Sequence, residues 1–113
     1  MLHRKRATLY VPVDRDGLEV IYRKFTVKNV NFSPISRGET SIYIFYDRAE
    51  FYLGTKRVPP FKIREGSFAV LGESSPTNEQ FTLTVPSIAM RVTSVEHYVA
   101  GNLKVHHTRL LLK

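Results

Sequence analysis

Residues 40–61 read TSIYIFYDRAEFYLGTKRVPPF, and this stretch decides the fold class. In an extended chain successive side chains point to opposite sides, so Ile42, Ile44 and Tyr46 share one face. Ala49, Phe51 and Leu53 then take the opposite parity, and both sets can be buried only if a bulge or tight turn intervenes near Asp47-Arg48. Ile, Tyr and Phe suit a pleated, half-buried surface, and the run ends at Pro59-Pro60, which cannot carry on a hydrogen-bonded ladder. The segment is therefore predicted to form the central strands of an all-β domain.

Outward from it, turn signals fall at Asp14 to Gly17, Ser33-Pro34 to Gly38, Leu53-Gly54, Glu65-Gly66, Pro86 and Gly101-Asn102. Between them the composition predicts strands near 7–13, 18–30, 40–53, 61–71, 79–85, 88–99 and 102–112. Many short strands with frequent turns imply an antiparallel β-sandwich, with a small β-barrel as the alternative. Apolar parity assigns Ile42, Ile44, Phe51, Leu53, Phe81, Leu83 and Val85 to the core. Segment 88–99 reads two ways. Ile88, Val92, Val95 and Val99 follow helical spacing, with Ser87 and Gly101 as caps, whereas the β-branched content favours a strand. Gly72 to Asn78 is a surface loop, and residues 1–113 make one domain.

The chain has no Cys, which removes disulfides, thiolate metal sites and a Cys nucleophile together. The longest apolar run, Ile42 to Tyr46, is five residues, against roughly 20 for a membrane-spanning helix. The N-terminal MLHRKRATLYV lacks the apolar stretch of a signal peptide, so it reads as mature sequence and the chain as cytoplasmic. No Gly-rich phosphate loop, zinc-protease helix or Ser-hydrolase elbow is present, which argues against the common enzyme classes. Asp47 and Glu50 flank Arg48, so they read as surface ion-pair partners and not as general acids or bases. No cofactor is implied.

A net charge of +7 favours polyanionic partners: nucleic acid, a nucleotide or an acidic membrane surface. Residues 65–100 hold one basic and four acidic side chains, while every flanking segment is basic. Arg4, Lys5, Arg6, Arg23, Lys24 and Lys28, interleaved with Tyr10, Tyr22 and Phe25, are the candidate polyanion-binding set, since cations hold phosphates and rings stack on bases. The same cations at a sheet edge would also discourage pairing between molecules, which otherwise is a route to oligomers. His97 and His106 fall opposite each other if Gly101-Asn102 forms a two-residue hairpin turn, and such a pair could share a metal ion, although no third ligand is identifiable.

The run IYIFYDRAEFYLGTKRVPPF resembles the type-2 late-embryogenesis-abundant domain and the plant harpin-induced-like defence proteins that share it. Tyr46-Asp47 and Pro59-Pro60-Phe61 fall on the family's motif positions, KFTVKNVNFS (24–33) is similar to its opening strand, and GSFAVLGE (66–73) to a later one. The family's Asn-Pro-Asn before the Ile-rich strand is absent here. The resemblance implies a fibronectin-like or immunoglobulin-like β-sandwich with no known catalytic residues and a role in stress protection or membrane-associated signalling, as in a stress or defence protein. Separately, NFSPISRG (31–38) is similar to the Asn/Asp-x-Ser-x-x-Gly loop of cyclic-dinucleotide-binding PilZ domains, lengthened by two residues. The expectation is a non-catalytic binding or interaction module, with a basic β-barrel that binds nucleic acid or a nucleotide as the alternative.

Overall fold

A computed structural model describes residues 5–17, 19–61, 63–72, 79–99 and 105–113. Its elements are β1 (Lys5–Asp16), β2 (Glu19–Ser36), β3 (Glu39–Phe45), β4 (Glu50–Leu53), β5 (Lys56–Val58), β6 (Phe68–Leu71), β7 (Phe81–Thr82), β8 (Met90–Val99) and β9 (Val105–Leu112). Every pairing is antiparallel, and no helix occurs among the described residues. The all-β expectation holds. Segment 88–99 resolves as a strand from Met90, while Ile88 ahead of it is 74% exposed.

The strands close a ring of hydrogen-bonded neighbours, β1–β2–β3–β9–β8–β6 and back to β1. Such closure is barrel-like, and it leaves few unpaired backbone groups at sheet edges. Off the ring, β4 pairs with the middle of β2, β5 extends β4, and β7 pairs with Tyr22 and Arg23 of β2.

The core is assembled from cross-strand rungs. Ile42, Leu110 and Val95 form one across β3, β9 and β8. A second runs Leu71, Ala7, Val27, Phe51, Val58 across β6, β1, β2, β4 and β5. Both sets belong to one apolar cluster. The turn required between β3 and β4 is present, with the Arg48 and Ala49 amides both donating to the Phe45 carbonyl. Tyr46 and Phe51, on opposite sequence parities, consequently stack at 6.1 Å.

In β2 the parity also changes, at Asn29. Arg6 pairs with Lys28 and Lys5 with Val30, so Asn29 is left unmatched, with φ +65°. Asn tolerates this left-handed conformation better than most residues. Its Nδ2 donates to the Arg48 carbonyl at 3.1 Å, tying the bulge to the β3–β4 corner. Phe25 and Val27 before it, and Val30 and Phe32 after it, thereby all reach the core.

Several expected boundaries differ. Of the turn expected from Ser33-Pro34 to Gly38, the first part lies inside β2, and the chain reverses at its end, Arg37-Gly38, where Gly38 has φ +69°. Strand 61–71 shortens to β6, although Ile63 still reaches the core. Strand 79–85 shortens to the two residues of β7. The core assignment of Phe81 and Leu83 is overturned, since they are 48% and 51% exposed, and Val85 is only half-buried. The Thr82 hydroxyl bonds the Thr84 carbonyl at 3.1 Å, curling the backbone before any ladder extends, so alternation there selects no buried face. Ile42, Ile44 and Phe51 are each 1% exposed, and Leu53 packs against the cluster, as expected.

Two stability tests follow from this packing. Leu110→Ala should cost ~2–5 kcal/mol in chemical denaturation, whereas Leu83→Ala should stay within ~0.5 kcal/mol. At the bulge, Asn29→Gly keeps the backbone accessible, while Asn29→Val should destabilise by a further ~1–2 kcal/mol. Equal midpoints for those two variants would refute the role given to the left-handed residue.

Candidate polyanion-binding face

Strand alternation that sends Ala7, Leu9, Phe25 and Val27 to the core sends Arg6, Thr8, Thr26 and Lys28 to the other face. There Arg6 lies opposite Lys28, and Lys28 opposite Glu50. The next rung runs Thr8, Thr26, Tyr52, Arg57. Thr8 and Thr26 are buried, so the open part of this face is the cluster Arg6, Lys28, Glu50, Tyr52 and Arg57.

Its geometry is cationic and aromatic. The Lys28 ammonium lies 4.6 Å from the Tyr52 ring centroid, within cation–π range. The Tyr52 hydroxyl donates to Glu50 Oε1 at 2.7 Å, and Asn29 Nδ2 donates to Oε2 at 3.4 Å. The Tyr52 hydrogen bond holds the Glu50 carboxyl below its ordinary value; burial opposes it, and the Arg57 and Lys28 charges and the Asn29 bond add smaller lowering effects. The same bond to Glu50 raises the Tyr52 phenol, with Arg57 and Arg6 opposing. Three cations thus surround one ring and one carboxylate.

The structure sorts the expected cations into different places. Arg6 and Lys28 come together. Lys24 shares their parity but is spent on an ion pair with Glu79 at 3.6 Å, and its side chain is only 14% exposed. Lys5 sits 5.5 Å from the Phe32 ring. Arg23 pairs with Val11 on the core parity, so it belongs to another surface. Arg4 lies outside the described residues. Sequence reading missed Arg57 and Tyr52, because the β4–β5 hairpin that carries them beside β2 is a long-range pairing. It also paired Arg48 with both acids, whereas Arg48 contacts Asp47 at 3.9 Å and Glu50 turns to Tyr52 and Asn29.

The His97–His106 pairing does not form. Register places His97 opposite Thr108 and Tyr98 opposite His107, two residues away from the expected pairing, with an irregularity at Tyr98/Val99. Among the described residues the pairing ends at Val99 with Val105, and the expected Gly101-Asn102 turn lies outside the described residues. His97 Nδ1 meets the Thr108 hydroxyl at 2.8 Å, and Tyr46 meets the same hydroxyl at 2.8 Å. Among the described residues no group of three His, Cys, Asp or Glu is placed to hold a metal ion. His106 and His107 instead approach each other, Nδ1 to Nδ1, at 3.0 Å, and His107 stacks on Phe45 at 4.8 Å and Tyr98 at 4.5 Å.

Likewise, among the described residues no helix is long and apolar enough to cross a membrane. No family model, curated protein or solved structure matches the chain.

His107 has a pH signature. Burial, and then the neighbouring His106, push the His107 imidazole below its ordinary value. A depressed His contributes nothing at high pH, and costs stability once the unfolded chain begins to take up the proton that the folded chain resists. Stability should therefore be full above pH ~6.5 and decline as pH falls through the folded value. His107→Phe keeps the stack and should flatten the decline in denaturant midpoint between roughly pH 8 and pH 5. An unchanged decline would assign the acid sensitivity elsewhere.

Proposed function

We propose that this chain is a non-catalytic binding module that grips a polyanion, single-stranded nucleic acid foremost, through the face formed by Arg6, Lys28, Tyr52 and Arg57. The observation that carries the reading is the convergence of three cations on one tyrosine ring, from strands that are far apart in sequence. Guanidinium and ammonium groups neutralise phosphates, while a ring beside them offers a sequence-tolerant surface for a base. Glu50 acts as an internal competitor. Its carboxylate is hydrogen-bonded to Tyr52 and Asn29 and lies in the field of Arg57 and Lys28, a field that a bound phosphate would share.

The stress or defence role implied by the late-embryogenesis-abundant resemblance is a second reading. It is favoured by the packing of two of the motif residues: Tyr46 and Phe61 both meet the Phe51 ring, at 6.1 and 5.0 Å. That reading needs a closed apolar core and no nucleic-acid affinity.

Fluorescence anisotropy with a labelled oligo-dT, titrated across salt concentrations, separates the two. Affinity should fall steeply with salt, and combining Arg6→Gln, Lys28→Gln and Arg57→Gln should reduce the log–log slope by about 2, at ~0.7 per single-strand phosphate contact. Glu50→Gln should tighten binding. Silence at low salt would remove the nucleic-acid reading, and binding only to phosphatidylserine vesicles would redirect it to a membrane surface.

A further inference from the structure

A second surface lies on the opposite face of β2. The apolar stripe of Val27 and Phe25 should continue at residue 23, yet that position holds an arginine, paired with Val11 of β1. Around it is a pocket of about 320 Å³ whose walls include Val11, Phe25, Leu53, Val58 and Phe61, with Arg64 as its other charged member. Among the described residues no carboxylate lines this pocket. Arg23 Nε is buried, with no hydrogen-bond partner among the described residues, and its guanidinium lies 5.4 Å from the Phe81 ring. Arg64 makes a 3.4 Å bond to the Pro12 carbonyl. Among the described residues neither guanidinium takes part in an ion pair.

A guanidinium cannot relieve this situation by losing its proton, and an N–H left buried without a partner is costly. Its planar fork matches a carboxylate, and charge-assisted bonds to one are stronger than neutral ones. Apolar walls beside such a fork select a ligand with an apolar body and a single acidic head. We propose that this pocket binds a small amphiphilic monocarboxylate, such as a medium-chain fatty acid or an arylalkanoate. The carboxylate engages Arg23, Arg64 adds positive charge at the same pocket, and the hydrocarbon packs on Phe25, Leu53 and Val58. A phosphodiester chain does not fit this description, because it lacks the apolar body. The site is independent of the Arg6–Lys28–Arg57 face, and either can fail alone.

The test is a methyl NMR titration of the full chain with octanoate, with 1-octanol as the uncharged counterpart of the same chain length. Octanoate should shift the Val11, Leu53 and Val58 methyl signals together and saturably, and bind at least about tenfold more tightly than octanol. Arg23→Gln should remove about tenfold of the octanoate affinity while leaving octanol unchanged, and Val58→Trp, which fills the pocket, should abolish both. Equal affinities for acid and alcohol, shifts confined to other residues, or no saturable response in the wild-type chain would overturn the proposal. Should Arg23→Gln fail to fold, the acid-against-alcohol comparison on the wild-type chain and the Arg64→Gln variant decide the question.

Discussion

The structure depends on one backbone irregularity in β2. A strand of 18 residues that serves two sets of partners would turn one half of its apolar residues to solvent if strict alternation were kept, because the side-chain period is two. The unmatched Asn29 shifts the phase, so Phe25 and Val27 face the core beside β4 while Val30 and Phe32 face it beside β3. The same residue binds the Arg48 carbonyl and the Glu50 carboxylate, so it joins the core to the basic face. Turn and bulge work as a pair: the Asp47-Arg48-Ala49 corner changes parity between β3 and β4 as the bulge changes it within β2.

The rungs leading from the centre of the cluster end in polar groups of different kinds. On β9 the series Leu112, Leu110, Thr108 finishes in a hydroxyl that is fully buried and bonded to both Tyr46 and His97. Burial raises the Tyr46 phenol more than this bond lowers it, so Tyr46 stays neutral and able to donate. On β2 the series Val27, Phe25, Arg23 finishes in a permanent cation. A neutral hydroxyl can be satisfied within the chain by two neighbours, whereas the buried Arg23 Nε has no such partner among the described residues. The first polar end therefore reads as structure and the second as a place for a ligand.

High positive charge alone is a poor guide to binding, because much of it is engaged inside the molecule. Arg91 lies over Phe68, Arg109 over Tyr43 and near Glu96, and Lys24 pairs with Glu79. What distinguishes Arg6, Lys28 and Arg57 is that, among the described residues, the cations of this face outnumber the Glu50 carboxylate.

The sequence by itself determined the all-β class, the turn between Tyr46 and Phe51, and the core positions Ile42, Ile44 and Phe51. Those follow from local alternation and composition, which act over a few residues. Only the tertiary structure decided which strands are neighbours, and hence that Arg57 and Tyr52 join Arg6 and Lys28 while Arg23 leaves them. It also decided that His97 faces Thr108, since an irregularity such as that at Tyr98/Val99 moves register by whole residues without leaving a trace in the alternation. Phe81 and Leu83 show the same limit from the other side. Their alternation is as regular as that of Ile42 and Ile44, but two residues of β7 on the margin of β2 bring no second layer to cover them. Burial is a property of the partner as much as of the strand.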